Sequence, residues 1–322
     1  MKVPQKIQPQ VLDFASYTAG LSIEDIKASY GLPKVIKLAS NENPLGLPPQ
    51  VRKVIEKTAG LGFRYPRPGS PDLCGALADF YGLEAEHFLV GNGSDEVIDL
   101  LLRVLVRPGK DHILVCDPSF SMYTLQARLC GLEVHKVPRA VDFSVPVEQI
   151  LATSNADTGL VFLTNPDNPT GHTANKETIL ELASRLPPEC FLVLDEAYVE
   201  FAEDLEAVSP LQDLKQTSNL IILRTFSKLY GLAGLRMGYG IMPPVLRDYL
   251  LRVKPPFSVN ILAEQAGIAA LKDQDFVNKT LETVHAGKTY LIRELTRLGC
   301  TVYPSQANFI MFQPPGSALE LF

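Results

Sequence analysis

Four short apolar runs in this chain stop at residues that carry chemistry, and that pattern constrains the fold more than any other feature. Phe88-Leu-Val90 leads into Gly91-Asn-Gly-Ser94-Asp95, and Leu160-Val-Phe-Leu163 leads into Thr164-Asn-Pro-Asp-Asn168-Pro-Thr-Gly171. Phe191-Leu-Val-Leu194 leads into Asp195-Glu-Ala-Tyr198, and Leu220-Ile-Ile-Leu223 into Arg224-Thr-Phe-Ser-Lys228. Brief apolar runs bounded by turn formers read as strands buried on both faces. Strands are expected at 88–91, 112–116, 160–164, 191–194, 220–224 and 236–241, with helical periodicity near 49–59, 94–106, 120–130 and 175–186. Such alternation predicts an α/β fold with a mainly parallel sheet sandwiched by helices. Ligands in sheets of this kind bind beyond the carboxyl ends of the strands. All four polar clusters would meet there.

The segment from Arg224 to Arg236 carries the sharpest chemistry. Lys228 stands on the loop at a strand tip, Thr225 and Ser227 add hydroxyls, and Arg236 adds a planar cation suited to a phosphate. An amine able to form a Schiff base beside a phosphate cradle is the chemistry of pyridoxal phosphate. A buried Asp195 would keep the ring nitrogen of that cofactor protonated, although an Asp after a strand also commonly caps a helix. Tyr198 and Asn168 are placed to bond the ring oxygen. The glycine turn before 94–106 predicts a helix capped by Ser94 or Asp95, with backbone amides open to phosphate.

Composition narrows the classes further. At 322 residues and 46% apolar content the chain suits an ordinary globular protein, and a formal charge of −6 offers no basic footprint for nucleic acid or an anionic membrane. Cys74, Cys116, Cys130, Cys190 and Cys300 are odd in number and lack a Cys-x-x-Cys pair, which predicts reduced thiols and a cytoplasmic setting. The five histidines show no metal-ligand spacing, so no metal is expected. No run reaches the roughly 20 apolar residues that a bilayer span needs.

These clusters, together with Leu38-Ala-Ser-Asn-Glu-Asn-Pro-Leu-Gly46, Arg64-Tyr-Pro66, Pro118-Ser-Phe-Ser-Met-Tyr123 and Ala307-Asn-Phe309, run in order through nearly the whole chain. In them the chain resembles the pyridoxal-phosphate aminotransferases of the class I/II superfamily, fold type I, and more narrowly the histidinol-phosphate aminotransferases. The resemblance implies transamination between L-histidinol phosphate and 2-oxoglutarate in histidine biosynthesis. It implies Lys228, Asp195, Tyr198 and Asn168 as catalytic residues. Ser94, Asp95, Thr225, Ser227 and Arg236 would surround the cofactor phosphate, Phe120 would stack on the ring, and Tyr65 would reach the cofactor of a neighbouring subunit in a homodimer. Tyr17 and Asn43 would lie near the substrate. Three alternatives share many of these residues: an aromatic aminotransferase, a phospho-amino-acid decarboxylase, and a silent cofactor-binding module of the kind found in some transcription regulators. The last would need an N-terminal helix-turn-helix domain, for which the 36 residues before Lys37 are too few.

The expected organisation is an N-terminal segment, 1–36, packing with a small domain; a large cofactor-binding domain, 37–255; and a small α+β domain, 256–322. The break is read at Lys254-Pro-Pro-Phe257, and helices at 260–271 and 275–298 followed by strands at 301–303 and 308–312 are expected beyond it. In the family the small domain continues further and supplies arginines to the substrate's anionic end. The chain as written is therefore expected to carry an incomplete small domain.

Overall fold

A computed structural model describes residues 6–12, 14 and 22–321. Its centre is a seven-stranded sheet of β1 (Phe88–Gly91), β2 (His112–Asp117), β3 (Glu133–Pro138), β4 (Thr158–Thr164), β5 (Phe191–Asp195), β6 (Leu220–Thr225) and β7 (Gly238–Ile241). Their order across the sheet is β1-β7-β6-β5-β4-β2-β3. The strands β3, β2, β4, β5 and β6 run parallel to one another, whereas β7 runs antiparallel to both β6 and β1.

The apolar runs are continuous because both faces of the sheet are covered. Successive side chains on a strand point to opposite faces. Val161, Leu163, Leu192, Leu194, Leu220 and Ile222 enter one buried cluster with the helices Pro71–Tyr81, Lys176–Arg185 and Ile261–Lys272. Leu160, Phe162, Val193, Ile221 and Leu223 enter another with the helices Ser94–Leu105, Met122–Leu129 and Pro244–Val253. Each Leu, Ile or Phe so buried contributes about 1.5–3 kcal/mol. The parallel β4–β5–β6 block therefore fixes where Asn165, Asp195 and Thr225 emerge.

Several elements differ from expectation. The edge strand β3 is unexpected, because Glu133, Lys136 and Pro138 are exposed and the run lacks a continuous apolar core. The helices Pro71–Tyr81, Pro244–Val253 and Ile23–Tyr30 lie outside the expected set; the first two begin at a proline, a residue suited to a first helical turn. β7 begins at Gly238 rather than at residue 236, because Arg236 adopts a left-handed φ of 53°. Gly93, not Ser94 or Asp95, is the N-cap of the helix Ser94–Leu105, and no side chain caps it.

Packing does not change at 254–257. The helix Ile261–Lys272 buries Ala263, Ala266 and Ala270 in the same cluster as the sheet. The helix Gln274–Arg297 buries Phe276, Val277 and Thr280 in its first two turns and then leaves the sheet's core, with Tyr290, Leu291 and Ile292 exposed. β8 (Thr301–Val302) and β9 (Phe312–Gln313) pair antiparallel as a separate small sheet. Of the N-terminal stretch, Pro9, Gln10 and Phe14 lie beside Leu125, Arg128 and Leu132 of the main body.

The loop between β8 and β9 returns to the main sheet. Gln306 N donates to the Gly171 carbonyl at 2.9 Å, Asn308 Nδ2 donates to the Asn41 carbonyl at 3.1 Å, and the Phe309 ring meets the edge of Tyr198 at 5.1 Å. A Cβ on Gly171, whose φ is +77°, would stand 2.3 Å from Ser305 Oγ. Only glycine fits this approach.

Candidate active site

Beyond the carboxyl ends of β4, β5 and β6 lies a cavity of about 420 Å³. Ser94, Asp95, Phe120, Asn168, Asp195, Tyr198, Thr225, Ser227, Lys228 and Arg236 all line it, so residues spread over 143 positions of sequence share one space. Thr164, Ser40 and Glu42, none of them an expected site residue, line it too.

Lys228 sits on the loop after β6, and its Nζ donates to the Ser40 carbonyl at 3.0 Å. The same ammonium lies 5.5 Å from the centroid of the Tyr198 ring. Burial lowers the Lys228 pKa, opposed by the charges of Glu42, Asp195 and Asp95 and reinforced by Arg236. A lysine so shifted is more available as a nucleophile and proton acceptor.

Asp195 closes β5 and is 3% exposed. Its Oδ2 accepts from the Tyr123 hydroxyl at 2.6 Å, and its Oδ1 accepts from Ala197 N at 3.1 Å. The latter is a local turn bond, not a helix cap: the segment that follows, Val199–Phe201, is a single 3₁₀ turn whose N-cap is Tyr198. Burial pushes the Asp195 carboxyl up to about 6, against the lowering effect of those two hydrogen bonds. Directly behind it, Arg224 Nη2 meets Glu196 Oε2 at 2.7 Å, both side chains almost wholly buried. That pair ties β5 to β6. Removing either partner would strand a buried charge, a loss of about 3–5 kcal/mol.

The raised carboxyl predicts a pH dependence. Without a bound cation, folding raises the Asp195 pKa from 3.8 to about 6. Its contribution to stability is then fully present below pH 3.8 and is lost as the pH rises through about 6. The loss is on the order of 3 kcal/mol. Chemical unfolding of the cofactor-free chain at pH 4 and pH 7.5 should show it, and the Asp195→Asn chain should lack this component. Identical pH profiles for the two chains would contradict the burial of an ionised carboxylate here.

Asn168 Nδ2 donates to the Tyr198 hydroxyl at 3.4 Å, and Asn41 Nδ2 donates to the same oxygen at 3.2 Å. At the other end of the cavity the helix Ser94–Leu105 presents its uncapped start. Backbone N–H groups there are open to an anion and the helix dipole favours one. Arg236 Nη2 reaches Asp95 Oδ2 at 3.3 Å, and its Nη1 donates to the Ala233 carbonyl at 3.1 Å. Burial raises the Asp95 carboxyl while Arg236 and Lys228 pull it down. A Cβ on Gly93 would stand 2.9 Å from Arg236 Nη2, so glycine keeps the cradle open. The donor set fits a phosphate at this end, an amine-reactive carbonyl at Lys228, and a protonated ring nitrogen at Asp195. Pyridoxal 5'-phosphate unites those three groups.

Two expected residues stand apart from the cavity wall. Tyr65 is 80% exposed and stacks on Phe257 at 4.7 Å. The Asn43 amide donates to the Leu229 carbonyl at 2.7 Å and to Thr280 Oγ1 at 3.2 Å, joining the lysine loop to the helix Gln274–Arg297. Tyr17 lies outside the described residues. Among the described residues no cluster of His, Cys, Asp or Glu is placed to hold a metal, and no helix is long and apolar enough to cross a membrane.

The profile of the family "Aminotransferase class I and II" matches residues 33–322. The chain belongs to that family. A histidinol-phosphate aminotransferase from Oleidesulfovibrio alaskensis is 53% identical over 309 residues, covering 96% of this chain and 81% of that protein. Another, from Nitratidesulfovibrio vulgaris, is 49% identical over 322 residues, covering 100% of this chain and 86% of its own length. Among solved structures, the histidinol-phosphate aminotransferase of Sinorhizobium meliloti in complex with pyridoxal-5'-phosphate superposes with a TM-score of 0.90 at 28% identity, over 98% of this chain and 84% of that one. The chain groups with these histidinol-phosphate aminotransferases.

Proposed function

We propose that this chain is a pyridoxal-phosphate-dependent aminotransferase that exchanges the amino group of L-histidinol phosphate with 2-oxoglutarate, in histidine biosynthesis. The observation that carries this reading is the common cavity shared by the Lys228 amine, the Asp195 carboxylate and the Arg236-flanked helix start. The names of the relatives supply the substrate. When bound, the cofactor provides an aldehyde that captures amines and a ring that accepts the electrons left when a carbon–hydrogen bond breaks.

The chain's own residues do the rest. Lys228 would supply the amine that holds the cofactor and would act as the base that takes the proton from the amine-bearing carbon of the substrate. Asp195 holds the proton on the ring nitrogen. Tyr198 and Asn168 hold the ring oxygen through their phenol and amide. Arg236, Thr225, Ser227 and the backbone amides at Ser94 and Asp95 hold the phosphate, and Phe120 covers the ring face. Tyr17 and Asn43 belong near the substrate in this reading. In this reading the N-terminal segment is 1–36, the large domain 37–255 and the small one 256–322, and the hydrogen bonds of Gln306 to Gly171 and of Asn308 to Asn41 would join the small domain to the large one. A cytoplasmic setting is part of the same reading, supported by five unpaired cysteines.

The test is amino transfer to 2-oxoglutarate from L-histidinol phosphate, phenylalanine and tyrosine, with release of carbon dioxide followed from phosphorylated amino acids. The proposal expects the highest kcat/KM with histidinol phosphate and no carbon dioxide. A preference for an aromatic amino acid, or decarboxylation, would overturn the substrate assignment and leave the cofactor site standing.

The proposed assembly is a homodimer in which Tyr65 serves the partner's cofactor phosphate. It is supported by the exposure of Tyr65 together with Phe63, Ile36 and Leu38, each more than 70% exposed. Large apolar side chains left exposed, such as Phe63 and Tyr65 two positions apart, suit an interaction site. Mixing Lys228→Ala with Tyr65→Ala chains should restore part of the lost activity, because one hybrid site receives both native residues. Full activity in a species that sediments as a monomer would contradict it.

A further inference from the structure

Tyr123 is buried with 0% exposure in the first turn of the helix Met122–Leu129 and does not line the cavity. Its ring stacks on Phe162 of β4 at 4.7 Å with an interplanar angle of 14°, and meets the edge of Phe120 at 5.5 Å. Its hydroxyl lies 2.6 Å from Asp195 Oδ2 and 2.9 Å from Thr164 Oγ1. We infer that Tyr123 is a positioning residue, which donates its phenolic proton to Asp195 and so keeps that carboxylate ionised and fixed for the cofactor's ring nitrogen.

Three observations carry the inference. Burial, reinforced by the negative charge of Asp195, holds the Tyr123 phenol well above its ordinary value. It therefore stays protonated at every working pH and must act as the donor to the carboxylate. Thr164 then donates into the phenolic oxygen, which completes a directed chain from Thr164 through Tyr123 to Asp195. The other groups acting on Asp195 do not replace this donor. Asp95 and Glu196 oppose its ionisation, the Ala197 amide supplies one backbone hydrogen bond, and Lys228 is the positive side chain acting from across the cavity. The same ring braces Phe120, so one side chain locates both the carboxylate and the aromatic cover.

The inference rests on the proposed cofactor, and its test separates the two. Tyr123→Phe keeps the ring packing and deletes only the donor. Loss of a hydrogen bond to a charged group should raise the Asp195 midpoint by about one to two pH units. Difference infrared spectroscopy of the cofactor-free chain, with Asp195→Asn as reference, reads that midpoint directly. Equilibrium titration with pyridoxal phosphate should show the variant binding about tenfold more weakly at pH 7, with the deficit shrinking toward pH 9 as Asp195 ionises. Thr164→Val should shift the midpoint the same way by less. An unchanged midpoint, or a loss of affinity that is the same at both pH values, would overturn the role of Tyr123. A native chain that bound no pyridoxal phosphate would sink the cofactor reading instead and leave the carboxyl titration to judge Tyr123.

Discussion

Replacement of Lys228 by alanine is expected to abolish amino transfer and the covalent attachment of the cofactor. Among the described residues Lys228 is the single lysine on the cavity wall, so no neighbouring amine there can substitute. Positioned acid–base groups contribute up to about ten-thousandfold to rate, and the same side chain also supplies the linking amine. A fall in kcat of at least about ten-thousandfold follows. Affinity for pyridoxal phosphate should fall far less, because Arg236 and the open helix start at Gly93 are untouched. Lys228→Arg separates charge from chemistry: it keeps the cation near Asp195 and Glu42 and should be as inactive as alanine. Substantial turnover in either variant would remove Lys228 from the mechanism.

Asp195→Asn is the second large effect. The amide keeps the size of the carboxylate and can still accept from Ala197 N, while the Tyr123 hydroxyl can turn to accept from the new Nδ2. Shape and local fold survive and the negative charge does not. Removing one preorganised electrostatic partner typically costs about a hundred- to a thousandfold in kcat. Cofactor should still bind, about tenfold or more weakly, and turnover at saturating cofactor should drop by that factor at every pH from 6 to 9. Were the carboxylate only a turn-forming group after β5, stability would change and kcat would not.

Much of the sheet was legible because the strands are buried on both faces. Leu160–Leu163 and Leu220–Leu223 are apolar at every position, and the polar residue that ends each run marks where the chain leaves the core. β3 was illegible for the opposite reason. An edge strand with one neighbour tolerates Glu133 and Lys136, so its sequence carries no apolar signature. The helix after Pro255 and Pro256 packs back onto the sheet, with Ala263 and Ala266 in the same apolar cluster, and a proline pair carries no signal of such a return.

The cavity divides in a similar way. Lys228, Asp195 and Asn168 were readable because each stands at or just past the end of a strand, and Arg236 because it lies eight positions past the lysine and carries a group suited to a phosphate. Tyr123 was not, although it stands three positions after Phe120 on the next turn of chain, because only the tertiary fold brings its hydroxyl to Asp195. Glu42 and Ser40 enter the cavity from a loop nearly 190 positions before Lys228, and no spacing rule announces such a contact. Asn43 is read from its motif alone, and its amide donates to the Leu229 carbonyl and to Thr280 Oγ1, contacts that no spacing in the sequence announces.

The central claim is that Lys228 holds pyridoxal phosphate. The most direct measurement is borohydride reduction of the chain after incubation with the cofactor, followed by peptide mapping for the pyridoxyl mass. The account predicts one label, on Lys228 in the segment Thr225–Arg236, and none in the Lys228→Ala chain. A label on any other lysine, or no label on native chain that has been shown to be folded, would contradict it.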